Sequence, residues 1–376
     1  LAYRSVFRDL FGGPQMTASN DPVIECRSLW KVFGEQADAA MKAIQQDGLG
    51  KEEVLEQFGC VLGVRDASFS VRKGEIFCIM GLSGSGKSTL IRHVNRLIEP
   101  TAGDVLIEGV SIGDLDNRAL RTMRSLKIGM VFQNMALMPH RTVLENVAFA
   151  LEVRGMTRAE RFEIAEQAIA TVDLGGWKNH YPDQLSGGMQ QRVGLARAIA
   201  ADPHILLMDE PFSALDPLIR KQLQTLFMAL AAQMNKTTLF ITHDLDEAIR
   251  IGDRIAVMKD GEIIQIGTPE QIVTEPADSY VSDFVAGISK LHLVTAARIM
   301  EPIESFEART GPFDANGWLR AAPGDLLNRL ADLSIDTDLP LAVETDGKVI
   351  GVVTKKALIR GIQGRSREDE GAYANV

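Results

Sequence analysis

Short apolar runs and helical spacings alternate along this chain. Residues 76–80 (Ile-Phe-Cys-Ile-Met) form a continuous apolar stretch of the kind that marks a buried parallel strand. Residues 205–208, 238–241 and 255–258 predict further buried strands. Helical periodicity lies between them. Phe162, Ile164, Ala165, Ala168 and Ile169 predict a helix over 158–172, a second should run from just after Ser186 to Ala200, and a third over 89–97. Strands alternating with helices imply an α/β domain around a mostly parallel sheet. Asp260-Gly261 predicts a hairpin into a strand at 262–266.

The region before residue 76 has a different pattern. Alternating apolar positions predict a strand over 23–33, ended by Gly34, and another over 64–71. Between them, Ala39, Ala40, Ile44, Val54, Leu55 and Phe58, broken by Gly48 and Gly50, predict a small helical hairpin inserted between the two strands. Past Gly287 the composition changes. A loose helical segment over 316–336 should precede a strand at 341–343, a turn at Asp346-Gly347, a strand at 349–353 and a helix at 355–362. The polar tail 364–376 is expected to be disordered. Residues 1–11 carry Arg4, Arg8 and Asp9 and lack the long apolar centre of a secretory signal; they are read as a frayed terminus, with a short amphipathic helix ending at Gly12-Gly13-Pro14 as the alternative. The expected divisions are an extension at 1–21, a main domain at 22–287 with the insertion at 34–63, a small module at 288–363, and the tail.

At 376 residues the chain is long enough for two or three domains. Its 40 Lys and Arg against 50 Asp and Glu give a net charge of −10, which weighs against a nucleic-acid coat. Three cysteines are too few for a disulfide framework. No apolar run reaches the length that spans a bilayer.

The chemistry concentrates at strand ends. Gly81-Leu-Ser-Gly-Ser-Gly-Lys-Ser88 fits the phosphate-loop pattern and lies between a predicted buried strand and a predicted helix. Gly81, Gly84 and Gly86 would let the backbone N–H groups wrap a phosphate. Lys87 would reach the outer phosphates and Ser88 would offer a hydroxyl to Mg²⁺. The strand at 205–208 ends in Asp209 and Glu210, one carboxylate for Mg²⁺ and one to polarise water. Ser186, Gly187 and Gly188 open a helix and form a second anion site. One triphosphate does not need two, so the second site should serve another copy of the chain. His243 follows the strand at 238–241 and is placed to touch a γ-phosphate. The other histidines share no metal-ligand spacing.

These elements, in this order, resemble the nucleotide-binding subunits of ATP-binding-cassette transporters: the loop at 81–88, Val131-Phe-Gln133, Leu185-Ser-Gly-Gly-Met-Gln190, the strand and acids at 205–211, Ser213-Ala-Leu-Asp216, and His243. The resemblance covers about residues 22–287. It implies a P-loop NTPase cassette with a mostly parallel sheet core, an antiparallel β subdomain and a helical subdomain. It further implies ATP and Mg²⁺ as cofactors. ATP contacts would come from Phe33, Gly81, Ser83, Gly84, Ser85, Gly86, Lys87, Ser88, Thr89, Ser186, Gly187, Gly188 and Asp216. Metal contacts would come from Ser88, Gln133 and Asp209. Glu210 would be the catalytic base, with His243, Lys87 and Gln133 assisting. Phe33 holds the place of the adenine-stacking aromatic, with Trp30 and Leu62 as rivals.

The insertion, Arg92-His-Val-Asn-Arg-Leu-Ile-Glu-Pro100, Ala136-Leu-Met-Pro-His140 and His243-Asp-Leu-Asp-Glu-Ala248 resemble the glycine betaine and proline betaine importers. Choline or trimethylamine-oxide importers would look similar. The resemblance implies a homodimer of cassettes on the cytoplasmic face of the inner membrane, with integral permease subunits and a periplasmic or lipid-anchored binding protein. Neither nucleic acid nor the transported compound would touch this chain. The stretch 341–354 resembles the last strand pair of a cystathionine-β-synthase (CBS) module, so 288–363 is read as a shortened α+β module of that kind. A soluble cassette ATPase is the alternative class, but the paired cassettes or long inserted coiled coil of such proteins do not occur here.

Overall fold

The computed structural model describes residues 22–133, 135–213 and 215–363. They fall into two units, divided between Ile266 and Gly267. The expected terminal segments at 1–11 and 364–376 lie outside the described residues.

The first unit is built on two sheets. Strands β1 (Pro22–Phe33) and β2 (Val61–Arg72) pair antiparallel, and β4 (Ala102–Ile107) pairs with the other edge of β1 and with the short β5 (Val110–Ser111). Between β1 and β2 stand the insertion helices α1 (Ala37–Asp47) and α2 (Lys51–Phe58). Each ends at a glycine in the left-handed conformation, Gly48 and Gly59. Phe33 lies directly opposite Val61, so the insertion leaves and rejoins the hairpin at one place. It has a small core of its own, in which Ala40, Ile44 and Val54 pack against Val32 and Leu62.

The second sheet has the order β10-β9-β3-β8-β7-β6. Its strands are β3 (Ile76–Met80), β6 (Ile128–Val131), β7 (Ile205–Asp209), β8 (Thr237–Thr242), β9 (Arg254–Lys259) and β10 (Glu262–Gly267). The pairs β3–β8, β3–β9, β7–β8 and β6–β7 are parallel. Every residue of β3, β7 and β8 is buried, as expected of parallel strands covered on both faces. One core joins the two sheets. Ile24, Val64 and Phe69 from the antiparallel sheet pack with Phe77 and Ile79 of β3 and with Leu90 and Ile91. Phe69 and Phe77 stack across it with centroids 5.3 Å apart. Each such ring contributes about 1.5–3 kcal/mol through burial.

The helix after the phosphate loop, α3 (Lys87–Val94), starts and ends earlier than the 89–97 expected from the pattern. The loop's last glycine already serves as its N-cap, and the chain turns at Asn95. Helix α4 (Asn117–Lys127) leads into β6, and three further helices, α5 (Val143–Val153), α6 (Arg158–Thr171) and α7 (Gly187–Ala200), pack on one another as a helical layer. Helix α8 (Pro217–Met234) precedes β8, and α9 (Leu245–Ile251) follows it. No helix among the described residues is long and apolar enough to cross a membrane.

The second unit includes α10 (Pro269–Thr274) and α11 (Ser279–Val285), within the 22–287 range expected for the main domain. Its sheet has the order β11-β14-β13-β12, from β11 (Glu301–Pro302), β12 (Arg320–Ala321), β13 (Leu341–Thr345) and β14 (Lys348–Val353). β13 and β14 form the expected hairpin, and a helix at Lys355–Gln363 follows. The loose helix expected over 316–336 is instead a short strand, β12, and a helix at Leu327–Ile335. Pro323-Gly324 separates them, because proline cannot continue a helical hydrogen-bond ladder. Leu327, Leu330, Val343, Val353 and Leu358 form the core.

Candidate nucleotide site

The phosphate loop connects β3 to α3 and is enclosed by neighbouring backbone. Gly81 has φ +155°, and a Cβ there would stand 2.1 Å from the Met258 carbonyl oxygen. Gly86 has φ +98°, and its Cβ would stand 2.2 Å from the Gly63 carbonyl oxygen. Only glycine fits such positions. Gly84, at φ +79°, faces open space, and Ser83 beside it is exposed. The loop thus has tight flanks and an open tip.

Lys87 is 4% exposed and donates to the carbonyls of Gly81 at 2.8 Å and Leu82 at 2.9 Å. Burial pulls its ammonium below the usual lysine value, while the carboxylates of Glu210 and Asp209 oppose that shift. Ser88 donates its hydroxyl to Asp209 Oδ1 over 2.8 Å, and Arg92 lies 3.5 Å from Asp209 Oδ2. A hydroxyl and a carboxylate oxygen this close are hard oxygen donors suited to Mg²⁺ shared with substrate phosphates. The Ser85 hydroxyl is buried beneath the loop without a hydrogen-bond partner. Thr89 is half-buried on the first turn of α3.

Glu210 directly follows β7 with φ +46°, an uncommon conformation for a side-chain-bearing residue, and its N–H donates to the Ile241 carbonyl at 3.0 Å. This turns the carboxylate toward His243, which follows β8. His243 Nδ1 lies within hydrogen-bonding distance of Glu210 Oε2, at 3.0 Å. Gln133 Nε2 donates to the same oxygen at 3.4 Å. Two residues from separate segments thus converge on one carboxylate.

Ser186, Gly187, Gly188 and Asp216 lie elsewhere. They line a cavity of about 410 Å³ with Trp177 and Arg192, and no residue of the loop at 81–88 lines it. Ser186 caps α7 by accepting from the Met189 N–H. Asp216 caps α8 by accepting from Leu218 and Ile219. Ser186, Gly187 and Asp216 are exposed.

Phe33 is 38% exposed, and its ring is backed by Gly63, where a Cβ would meet it at 2.8 Å. Lys31 Nζ lies 5.0 Å from the ring centroid. Leu62 is buried and Trp30 packs on the insertion's core, so Phe33 alone of the three carries an exposed ring beside the loop's Gly63 wall.

Several residues escaped the sequence reading. Arg197, on α7, donates to the carbonyls of Met135 and Ala136, each at 2.7 Å, and so fastens the segment after Gln133 to the helix that Ser186 caps. Asn146 braces the same segment through the N–H and carbonyl of Met138. Arg220 bridges Asp244 and the Leu215 carbonyl. No motif spacing marks any of the three.

Two sheets, a glycine-walled phosphate loop and a carboxylate–histidine pair at adjacent strand ends define a P-loop nucleotide hydrolase. Residues 64–213 match the family model described as ABC transporter. The chain belongs to the ATP-binding-cassette family of transporter ATPases. It is 49% identical over 339 residues to the glycine betaine/proline betaine transport system ATP-binding protein ProV of Escherichia coli, covering 89% of this chain and 81% of that protein. It is 44% identical over 345 residues to the trimethylamine N-oxide transport system ATP-binding protein TmoW of Ruegeria pomeroyi, covering 92% and 98%. Among solved structures, a dimeric ATP-binding cassette in a post-hydrolysis state bound to ADP and Pi is similar with TM-score 0.56 and 34% identity, over 65% of this chain and 98% of that one.

Proposed function

We propose that two copies of this chain bind and hydrolyse ATP between them and thereby drive uptake of glycine betaine, proline betaine or a related quaternary amine. The observation that carries this reading is the 49% identity to a betaine-transport ATPase along 89% of the chain. The intact Lys87, Asp209, Glu210 and His243 support turnover rather than mere binding.

In this reading the N–H groups of the loop at 81–88 and the Lys87 ammonium hold the outer phosphates. Ser88, Asp209 and Gln133 would hold Mg²⁺. When bound, the ion neutralises charge on the phosphates. Glu210 positions the attacking water and accepts its proton, and His243 fixes the carboxylate and then contacts the γ-phosphate. Phe33 stacks on the adenine. Ser186, Gly188 and Asp216 of a second copy complete the site, consistent with their separation from the loop within one chain.

The chain would sit on the cytoplasmic face of the membrane beside permease subunits that receive the motion through residues 133–145, with a binding protein choosing the cargo. Residues 288–363 are read as the shortened CBS-like module, supported by the β13–β14 hairpin and the helix that follows.

A trimethylamine N-oxide system is the second reading. The chain is 44% identical to TmoW along 92% of its own length. Reconstitution with its permease and binding protein in lipid separates the two. Turnover stimulated by glycine betaine or proline betaine supports the first, and turnover stimulated by trimethylamine N-oxide the second. Indifference to both, and to choline and carnitine, would overturn the quaternary-amine assignment.

A further inference from the structure

The helical insertion has no part in the mechanism above, yet it reaches the phosphate loop. Lys51, the first residue of α2, donates from Nζ to the Gly84 carbonyl at 3.3 Å. The same ammonium lies 3.8 Å from Asp260 Oδ1, in the turn between β9 and β10. That turn grips the loop as well, because the Gly261 N–H donates to the Ser85 carbonyl at 3.0 Å.

Arg65 anchors this corner. Its Nη1 donates to the Leu49 carbonyl at 3.3 Å, just ahead of α2. Its Nε pairs with Glu262 at 2.8 Å, and its backbone N–H donates to the Gly261 carbonyl at 2.9 Å. The start of α2, the β9–β10 turn and the loop tip are therefore joined through Arg65 and Lys51. Gly84 has a positive φ and nothing within 4 Å of where a Cβ would be.

We propose that Lys51 is a positioning residue of the nucleotide site: its ammonium holds the Gly84 carbonyl outward, so that the loop is preformed for polyphosphate. A loop already held in its binding conformation loses less freedom when the ligand arrives. The Lys51 charge also adds to the positive potential around the tip, weakened by solvent because the side chain is 38% exposed. Lys51 is outside the Lys87–Glu210–His243 cluster, so its removal should weaken ATP binding and leave the chemical step alone. This inference rests on the reading of the loop as an ATP site.

The test compares Lys51→Met, Lys51→Arg, Lys42→Ala and Lys87→Ala in the full chain. ATP KM, kcat and equilibrium binding of a fluorescent ATP analogue are measured for each. Lys51→Met keeps the aliphatic stem and loses the charge. It should raise KM and the dissociation constant about threefold to tenfold, with kcat changed less than twofold. Lys51→Arg should restore most of the loss. Lys42→Ala removes an equal charge from an exposed position on α1 and should change neither constant. Parental affinity in Lys51→Met overturns the proposal. So does an equal loss in Lys42→Ala, which would show a diffuse charge effect, or a fall in kcat with unchanged binding. If the parent chain fails to bind the analogue, or Lys87→Ala binds it as well as the parent, the ATP-site reading itself has failed.

Discussion

His243 Nδ1 and Glu210 Oε2 stand 3.0 Å apart at the ends of neighbouring strands, and the backbone of Glu210 is held to the Ile241 carbonyl of the same neighbour. The carboxylate is therefore aimed by the sheet and not only by its own loop. Glu210→Gln keeps the shape and the histidine contact but cannot accept a proton. We expect ATP binding at the parent affinity and a fall in kcat of about 10²- to 10⁴-fold. The stalled chain should elute as a dimer in ATP. Phosphate release and size-exclusion chromatography check both, and turnover at the parent rate would remove Glu210 from the role of base.

Gly84 and Gly86 differ in what surrounds them. Both have positive φ, which costs a residue with a side chain about 1–2 kcal/mol. At Gly86 a Cβ would also collide with the backbone of Gly63, whereas at Gly84 it meets nothing. Gly86→Ala should abolish nucleotide binding and lower the melting temperature. Gly84→Ala should produce the smaller loss of the two. Paired melting curves and ATP titrations decide it, and equal effects would contradict the enclosed shape of the loop.

Ser186 and Lys87 serve different copies in the proposed dimer, which gives a complementation test. Lys87→Ala and Ser186→Arg should each be inactive alone. Mixed, they form one pairing in which the intact Lys87 of one copy meets the intact Ser186 of the other. Turnover should then recover in part. No recovery after verified exchange of subunits would mean that each chain completes its own site.

Glu247, buried on α9, has its carboxyl pushed above the usual value, first by loss of hydration. Thr242 and Gln224 oppose the shift by hydrogen bonding, with Gln224 Nε2 donating to Oε1 at 2.9 Å. A carboxyl that holds its proton more tightly when folded stabilises the fold most below the ordinary carboxylate range. That stability is lost as pH rises through the raised value. Glu247→Gln should therefore raise the melting temperature near pH 7, with the advantage vanishing toward pH 4. A constant difference across that range would argue against the buried charge as its cause.

Much of this protein was legible from local chemistry. The apolar runs that became β3, β7 and β8 are nearly self-declaring, because a strand covered on both faces admits few polar residues. The phosphate loop was legible because its glycines, lysine and serine are required at set spacings within one short segment, and Ser186 because a cap must directly precede its helix. Boundaries were less so: α3 begins at Lys87 because the loop's backbone runs into it without a break.

Relations between distant segments needed the fold. Phe33 and Val61 are 28 residues apart in sequence and directly paired in the hairpin, so the insertion does not carry the aromatic away from the loop. Nothing local marks Arg197 as the anchor of Met135, or Lys51 as the partner of Gly84. Sequence by itself determined which residues could bind phosphate and metal, since that depends on residue type and near-neighbour geometry. Tertiary structure alone decided which of them share a site. Such contacts form only where sheet order brings separate strand ends together, and spacing along the chain carries no record of that order.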